Sequence, residues 1–193
     1  MEILAATGNM HKVQELQQLL GPHGVTVISP REVGGVPEVE ETGTTFEANA
    51  ILKAEAIAKA TGRLVIADDS GLEVVALGGR PGIRSARYAG EGATREQLMA
   101  KVLEEIPADA DRAARFVSVI AVAGPDGVVG TAEGEVKGQL TTAPRGDNGF
   151  GYDPIFVPDG YQQTFGELGS DVKDQLSHRA NAVQAGLAKG LFG

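Results

Sequence analysis

Short apolar runs alternate with stretches of helical periodicity from the start of the chain, and this alternation restricts it to an α/β fold. Residues 3–6 read as a buried strand, followed by a Thr7-Gly8-Asn9 turn. A helix over 11–20 then places Val13, Leu16, Leu19 and Leu20 on one face and stops at Gly21-Pro22. Residues 25–28 form a second strand. Thr44 and Glu47 make a capping box ahead of a helix over 45–60, with Gly62 at the C′ position. Residues 64–67 are a third strand, which runs into Asp68-Asp69-Ser70-Gly71, a turn by composition. A second capping box, Thr94 with Gln97, starts a helix that ends at Pro107. Two longer β segments, 113–123 and 127–138, meet at Gly124-Pro125-Asp126-Gly127, a hairpin signal. A last helix runs from near Ser177 to about Leu191. The order is βαβαβ, then antiparallel strands, then a helix, which gives an α/β fold with a mixed sheet.

The 193 residues, 42% hydrophobic and 22% charged, suit one compact unit or two lobes sharing a core. No repeat, low-complexity tract or linker interrupts them. A net charge of −9 repels polyphosphate backbones, so a nucleic-acid polymer is not expected as a partner. The absence of cysteine excludes disulfides, thiolate nucleophiles and thiolate-bound zinc. The N-terminus runs directly into a strand with no signal-like region, and the longest apolar stretch is far below the ~20 residues of a membrane span. A cytoplasmic protein without membrane association is the expectation.

Several segments could carry chemistry. Thr7, Gly8, Asn9, Met10, His11 and Lys12 join the first strand to the first helix, where backbone N–H groups attract anions and Lys12 adds a charge. A plain helix cap has the same composition, and no Walker A loop is present. Glu38, Glu40 and Glu41 precede the second helix, either as a solvated acidic loop or as a functional group. Asn49 and Lys53 share a face of that helix. Asp68 and Asp69 end an apolar strand, where ligands collect in open α/β sheets. They suit a Mg²⁺ site or a base for an attacking water, and equally an Asp-rich turn. Phe150, Gly151, Tyr152 and Asp153 lie on a glycine-rich loop that could stack on a base, or are ordinary core residues. Glycine-rich stretches at 78–92 and 144–151 look like the rims of a site. Lys173, Ser177, His178 and Arg179 form a final cluster. The cations of its helical first turn oppose the helix dipole unless an anion compensates. His11 and His23 read as surface residues, and the three scattered histidines give no metal-ligand spacing.

Together these segments resemble the inosine triphosphate pyrophosphatase family, the bacterial dITP/XTP pyrophosphatases. The resemblance is carried by Thr7-Gly8-Asn9 with Lys12, by Glu41-Thr42-Gly43 with Thr45-Phe46, Asn49-Ala50 and Lys53-Ala54, and by Ala67-Asp68-Asp69-Ser70-Gly71-Leu72. It continues in Pro81-Gly82-Ile83 with Ser85-Ala86-Arg87-Tyr88, Phe150-Gly151-Tyr152-Asp153-Pro154-Ile155-Phe156 and Ser177-His178-Arg179. One departure is Asp174 after Lys173, where the family pattern usually shows Asn.

The resemblance implies a single domain over 1–193, an elongated α/β fold with a long central mixed sheet flanked by helices, and two lobes with an active-site cleft between them. It further implies a homodimer that hydrolyses non-standard purine nucleoside triphosphates, ITP, dITP and XTP, to the monophosphate and pyrophosphate; oxygen-ligand chemistry makes Mg²⁺ the expected metal, with Mn²⁺ as a substitute. Carried over by position, Asp69 is the general base and a metal ligand. Glu41 is the second acidic contact, with Glu38 and Glu40 as rivals. Residues 7–12, Lys53, Ser70 and Lys173 hold the phosphates, and Phe150 to Asp153 with His178 and Arg179 line the base pocket. Two other readings compete: a nucleotide pyrophosphatase of different base specificity, and a non-catalytic nucleotide-binding or phospho-acceptor module.

Overall fold

The computed structural model describes residues 1–193. Strand β1 (Glu2–Ala5), helix α1 (Met10–Leu20), β2 (Thr26–Ile28), α2 (Phe46–Thr61) and β3 (Val65–Val74) come first. They are followed by α3 (Arg95–Glu105), β4 (Ala113–Gly124), β5 (Gly127–Leu140), β6 (Phe156–Pro158), α4 (Ser170–Leu176) and α5 (His178–Ala188). The strands make one six-stranded sheet in the order β2-β1-β3-β4-β5-β6. β1 runs parallel to β2 and to β3, whereas β6 is antiparallel to β5. β4 and β5 are neighbours joined through Pro125 and Asp126 alone, a connection that only antiparallel strands can make. The sheet is therefore mixed, as expected.

Local chemistry accounts for most of these boundaries. Asn9 caps α1, its side chain accepting the His11 N–H at 3.0 Å. At α3 the expected box is complete: Gln97 N–H donates to Thr94 Oγ1 at 3.2 Å and Thr94 N–H to Gln97 Oε1 at 2.9 Å. Such a cap stabilises a helix by about 1 kcal/mol. The expected box at α2 is displaced. Thr45, not Thr44, is the N-cap and accepts from Ala48 N–H at 3.1 Å, while the Glu47 carboxylate accepts from Thr131 instead. Gly62 closes this helix in the left-handed conformation (φ 66°) that only glycine adopts without strain.

Two further expectations are corrected. Asp68-Asp69-Ser70-Gly71 is not a turn, because β3 continues through it to Val74. Burial of Leu72 and Val74 on the far side and partners for both acids make the extended conformation pay. The single last helix is two helices. Ser177 sits between α4 and α5 with ψ 159°, which breaks the helical path although its N–H still reaches Lys173 O at 2.9 Å.

The chain forms two compact units. The first comprises residues 1–69, 118–134 and 179–193, the second residues 70–117 and 135–178. Each has its own apolar core. In the first, Ile3, Leu16, Leu20, Ile66, Ile120 and Val183 pack together; in the second, Leu72, Val102, Phe116, Ile155, Phe156 and Phe165 do so. No helix is long and apolar enough to cross a membrane.

Candidate active site

In the first unit, β1 pairs Ala5 with Ile66 and then ends, while β3 runs on. Asp68 and Asp69 therefore lie just past the end of β1, on the side where the 6–9 loop leaves it. Successive strand residues point to opposite faces, so the two acids are separated into different surroundings.

Asp68 enters a sealed charge network. Its Oδ2 is 2.8 Å from Lys12 Nζ and 3.1 Å from an Arg179 nitrogen, and its Oδ1 accepts from Ser118 Oγ. Arg179 is fully buried and also pairs with Glu15 of α1. Burial alone would push the Asp68 carboxyl up. Arg179 and Lys12, with the Ser118 hydroxyl, outweigh it and hold the group well below its ordinary range. The same two carboxylates overcome the burial of Arg179 and raise its already high value.

Asp69 has the opposite fate. Burial pushes its carboxyl from 3.8 to about 6, the nearby Glu41 and Asp68 charges add to this, and Lys53 and Lys12 offset it only in part. Lys53 Nζ stands 3.5 Å from Asp69 Oδ1, 3.1 Å from Glu41 Oε1 and 2.9 Å from the Asp68 carbonyl oxygen. The other oxygen, Asp69 Oδ2, is buried and has no hydrogen-bond partner. Two adjacent acids thus have values pushed apart, which is how a site keeps one carboxylate permanently charged and another near the pH at which it can accept a proton. Of the three glutamates before α2, Glu41 is the one Lys53 engages; Glu38 and Glu40 are exposed.

No group of three or more acidic or histidine side chains forms a ready metal cage. Mg²⁺ does not need one, since it keeps several waters and takes one or two carboxylates plus phosphate oxygens. The orphaned Asp69 oxygen, with Glu41 reached through the same lysine, fits that donor set.

The 7–12 loop is built around its own side chains. Thr7 Oγ1 accepts the Asn9 N–H at 3.1 Å and Asn9 caps α1, so both side chains serve the turn. Gly8 is different. It lacks a left-handed φ, and a Cβ placed on it would meet nothing within 4 Å. Neither backbone strain nor packing calls for glycine there, and its bare backbone leaves room for close approach. Gly8→Ala is expected to leave the thermal midpoint within about 2 °C, since an exposed substitution is worth no more than about 0.5 kcal/mol. The same change should raise KM for a nucleoside triphosphate at least several-fold; steady-state kinetics showing an unchanged KM would remove Gly8 from the site.

In the second unit, Asp153 is nearly fully buried, its Oδ2 accepting from Lys173 Nζ at 2.7 Å and from the Phe150 N–H at 3.0 Å. Lys173 Nζ also lies 4.6 Å from the centre of the Phe150 ring, a cation–π contact. The structure thus groups Lys173 with Phe150 and Asp153. Tyr152 is turned into the core, its hydroxyl donating to Ser85 O at 2.6 Å, so Gly151 and the Tyr152 backbone are what this loop presents. His178 stacks on Phe116 with ring centres 4.9 Å apart. Ser70, half-buried on β3, is the first residue of this unit. His178 and Arg179, adjacent in sequence, therefore serve different units.

Two members of these networks escape a sequence reading. Glu15 is buried on the apolar face of α1 beside Leu16, and Ser118 is the one hydroxyl in the apolar run 116–123. A polar residue interrupting an apolar face was the available signal in both.

A family model described as the Ham1 family matches residues 3–189. A dITP/XTP pyrophosphatase of Bacillus licheniformis is 49% identical over 185 residues, spanning 95% of this chain and 94% of the relative. Among solved structures, the Ham1 protein of Staphylococcus aureus superimposes with a TM-score of 0.86 at 44% identity, covering 99% of this chain and 100% of the other. A HAM1 protein from Coxiella burnetii gives 0.87 at 42% identity, covering 99% and 98%.

Proposed function

Because this chain belongs to the Ham1 family, we propose that it hydrolyses non-standard purine nucleoside triphosphates, dITP, ITP and XTP, to the monophosphate and pyrophosphate. The observation that carries the chemistry is Asp69: a buried carboxylate raised to about 6, with one oxygen unpartnered, beside Lys53 and Glu41. Relatives that are dITP/XTP pyrophosphatases support the choice of base.

Phosphoryl transfer demands positioning and charge stabilisation more than covalent help. Asp69 orients a water in line with the α-phosphorus and takes its proton as the new P–O bond forms. The bond from the α-phosphorus to the bridging oxygen breaks, and pyrophosphate leaves with the electron pair. Lys12, Lys53 and the N–H groups of residues 7–12 neutralise and hold the phosphates, with the Ser70 hydroxyl as a further donor. Asp69 and Glu41 hold Mg²⁺, which when bound supplies charge neutralisation on the triphosphate; Mn²⁺ is an acceptable substitute by its oxygen-ligand chemistry.

Phe150 offers a ring face to the base, while Gly151, the Tyr152 backbone, Asp153, Lys173 and His178 complete that end. Donors aimed at a purine 6-oxygen are left unpaired against the 6-amino group of adenine, which penalises ATP. Rejection of guanine needs a conflict at its 2-amino group. The enzyme works as a homodimer in the cytoplasm.

Pyrophosphate release should be strong with dITP, ITP and XTP in Mg²⁺, weak with ATP and GTP, and abolished by a chelator. Equal turnover of all five would keep the phosphate chemistry and remove the base discrimination. A folded protein that binds nucleotide without turnover would instead be a binding module.

A further inference from the structure

Helix α2 sets two side chains, Asn49 and Lys53, one turn apart on one face. Lys53 reaches the Glu41 and Asp69 carboxylates. Asn49 does something different: its Oδ1 accepts the backbone N–H of Gly43 at 2.7 Å, two residues along from Glu41. The helix does not require this bond. The Asn49 backbone N–H is already satisfied by Thr45 O at 3.2 Å, and the cap is supplied by Thr45 Oγ1. Gly43 is shaped to the contact, since a Cβ on it would lie 2.6 Å from Asn49 Oδ1 and 2.8 Å from the Ala48 side chain. Residues 36–43 have no helix or strand of their own to fix them. A buried amide holding the backbone beside Glu41, and an ammonium one turn later holding its carboxylate, together define where that carboxylate stands.

We propose that Asn49 is a positioning residue for the hydrolytic reaction, acting through the Gly43 N–H to hold Glu41 where it can serve the metal. The inference rests on the pyrophosphatase reading above. Residues that orient a metal-binding group in this way typically contribute 10–100-fold to activity or metal affinity.

Asn49→Ala is expected to lower kcat for dITP about 10–100-fold at nearly unchanged KM. It should also weaken Mn²⁺ binding to the nucleotide-free protein about tenfold, read by electron paramagnetic resonance. Asn49→Asp keeps an acceptor of the same shape and should return both quantities to within about threefold of the parent. Gly43→Ala approaches the same bond from the loop and should reproduce the loss; it carries the test if Asn49→Ala does not fold. The idea is overturned if Asn49→Ala and Gly43→Ala keep full kcat, if the loss falls on KM alone, or if Asn49→Asp is as impaired as Asn49→Ala. A parent protein that releases no pyrophosphate from dITP would refute the activity, not this placement. The Mn²⁺ comparison then decides: equal affinities in parent and Asn49→Ala overturn the proposal, and weaker binding in the variant supports it.

Discussion

Asp69→Asn should lose about 10²–10⁴-fold in kcat while nucleotide affinity changes little, the scale at which removing a general base acts. The same substitution should make the metal-free protein more stable. An acid whose value rises from 3.8 in the unfolded chain to about 6 in the native state is a group the fold prefers protonated. Its ionisation costs nothing below about pH 4, and the cost grows as pH rises through 6, reaching at most about 3 kcal/mol. Asparagine is neutral throughout. The stability gap between variant and parent should therefore open between pH 4 and 6 and settle at about 1–3 kcal/mol in favour of the variant. Urea unfolding with a chelator present, at pH 4.5 and 7.5, measures it. A parent that gains stability over that interval relative to the variant would reverse the assignment. Turnover should follow the same group with the opposite benefit, since kcat/KM falls on the acid side as Asp69 takes a proton.

Arg179→Ala should be the most damaging single change to the fold. The guanidinium is fully buried between Asp68 and Glu15, and Asp68 itself has no exposed side-chain surface. Removing it takes the guanidinium from both buried carboxylates, at a cost of about 3–5 kcal/mol. Arg179→Lys should recover only part, because an ammonium cannot present the planar fork that spans two carboxylates. Denaturant midpoints test this directly; Arg179→Ala within 1 kcal/mol of the parent, on the scale of an exposed ion pair at about 1 kcal/mol, would mean the network is not what holds Asp68.

The readable parts of the chain were those whose cause is local. α1, α3 and the hairpin at Pro125-Asp126 announced themselves through caps, turn residues and periodicity within a few positions. The acidic pair misled because its composition favours a turn, whereas its partners arrive from far along the chain: Ser118 is 50 residues from Asp68 and Arg179 is 111. Two neighbouring threonines could each have capped α2, and nothing within a few positions decides for Thr45. The break at Ser177 was hidden because α4 offers few apolar positions, Val172 and Leu176 among them, to set a period. Tyr152 looked available to a ligand by its place in a glycine-rich loop, but the second core claims its ring. Tertiary demand, absent from any short window, decided each of these.

The division of the first unit into three stretches has a consequence for how the protein is made. Synthesis delivers residues in order, and segments fold as they become complete. Every residue of the second unit has been joined by position 178, and Arg179 is the next to follow. Until then Asp68 and Glu15 both lack its guanidinium. The part of the nascent chain that emerges first is thus the part that closes last, and its closure waits on residues 179–193, Arg179 foremost among them.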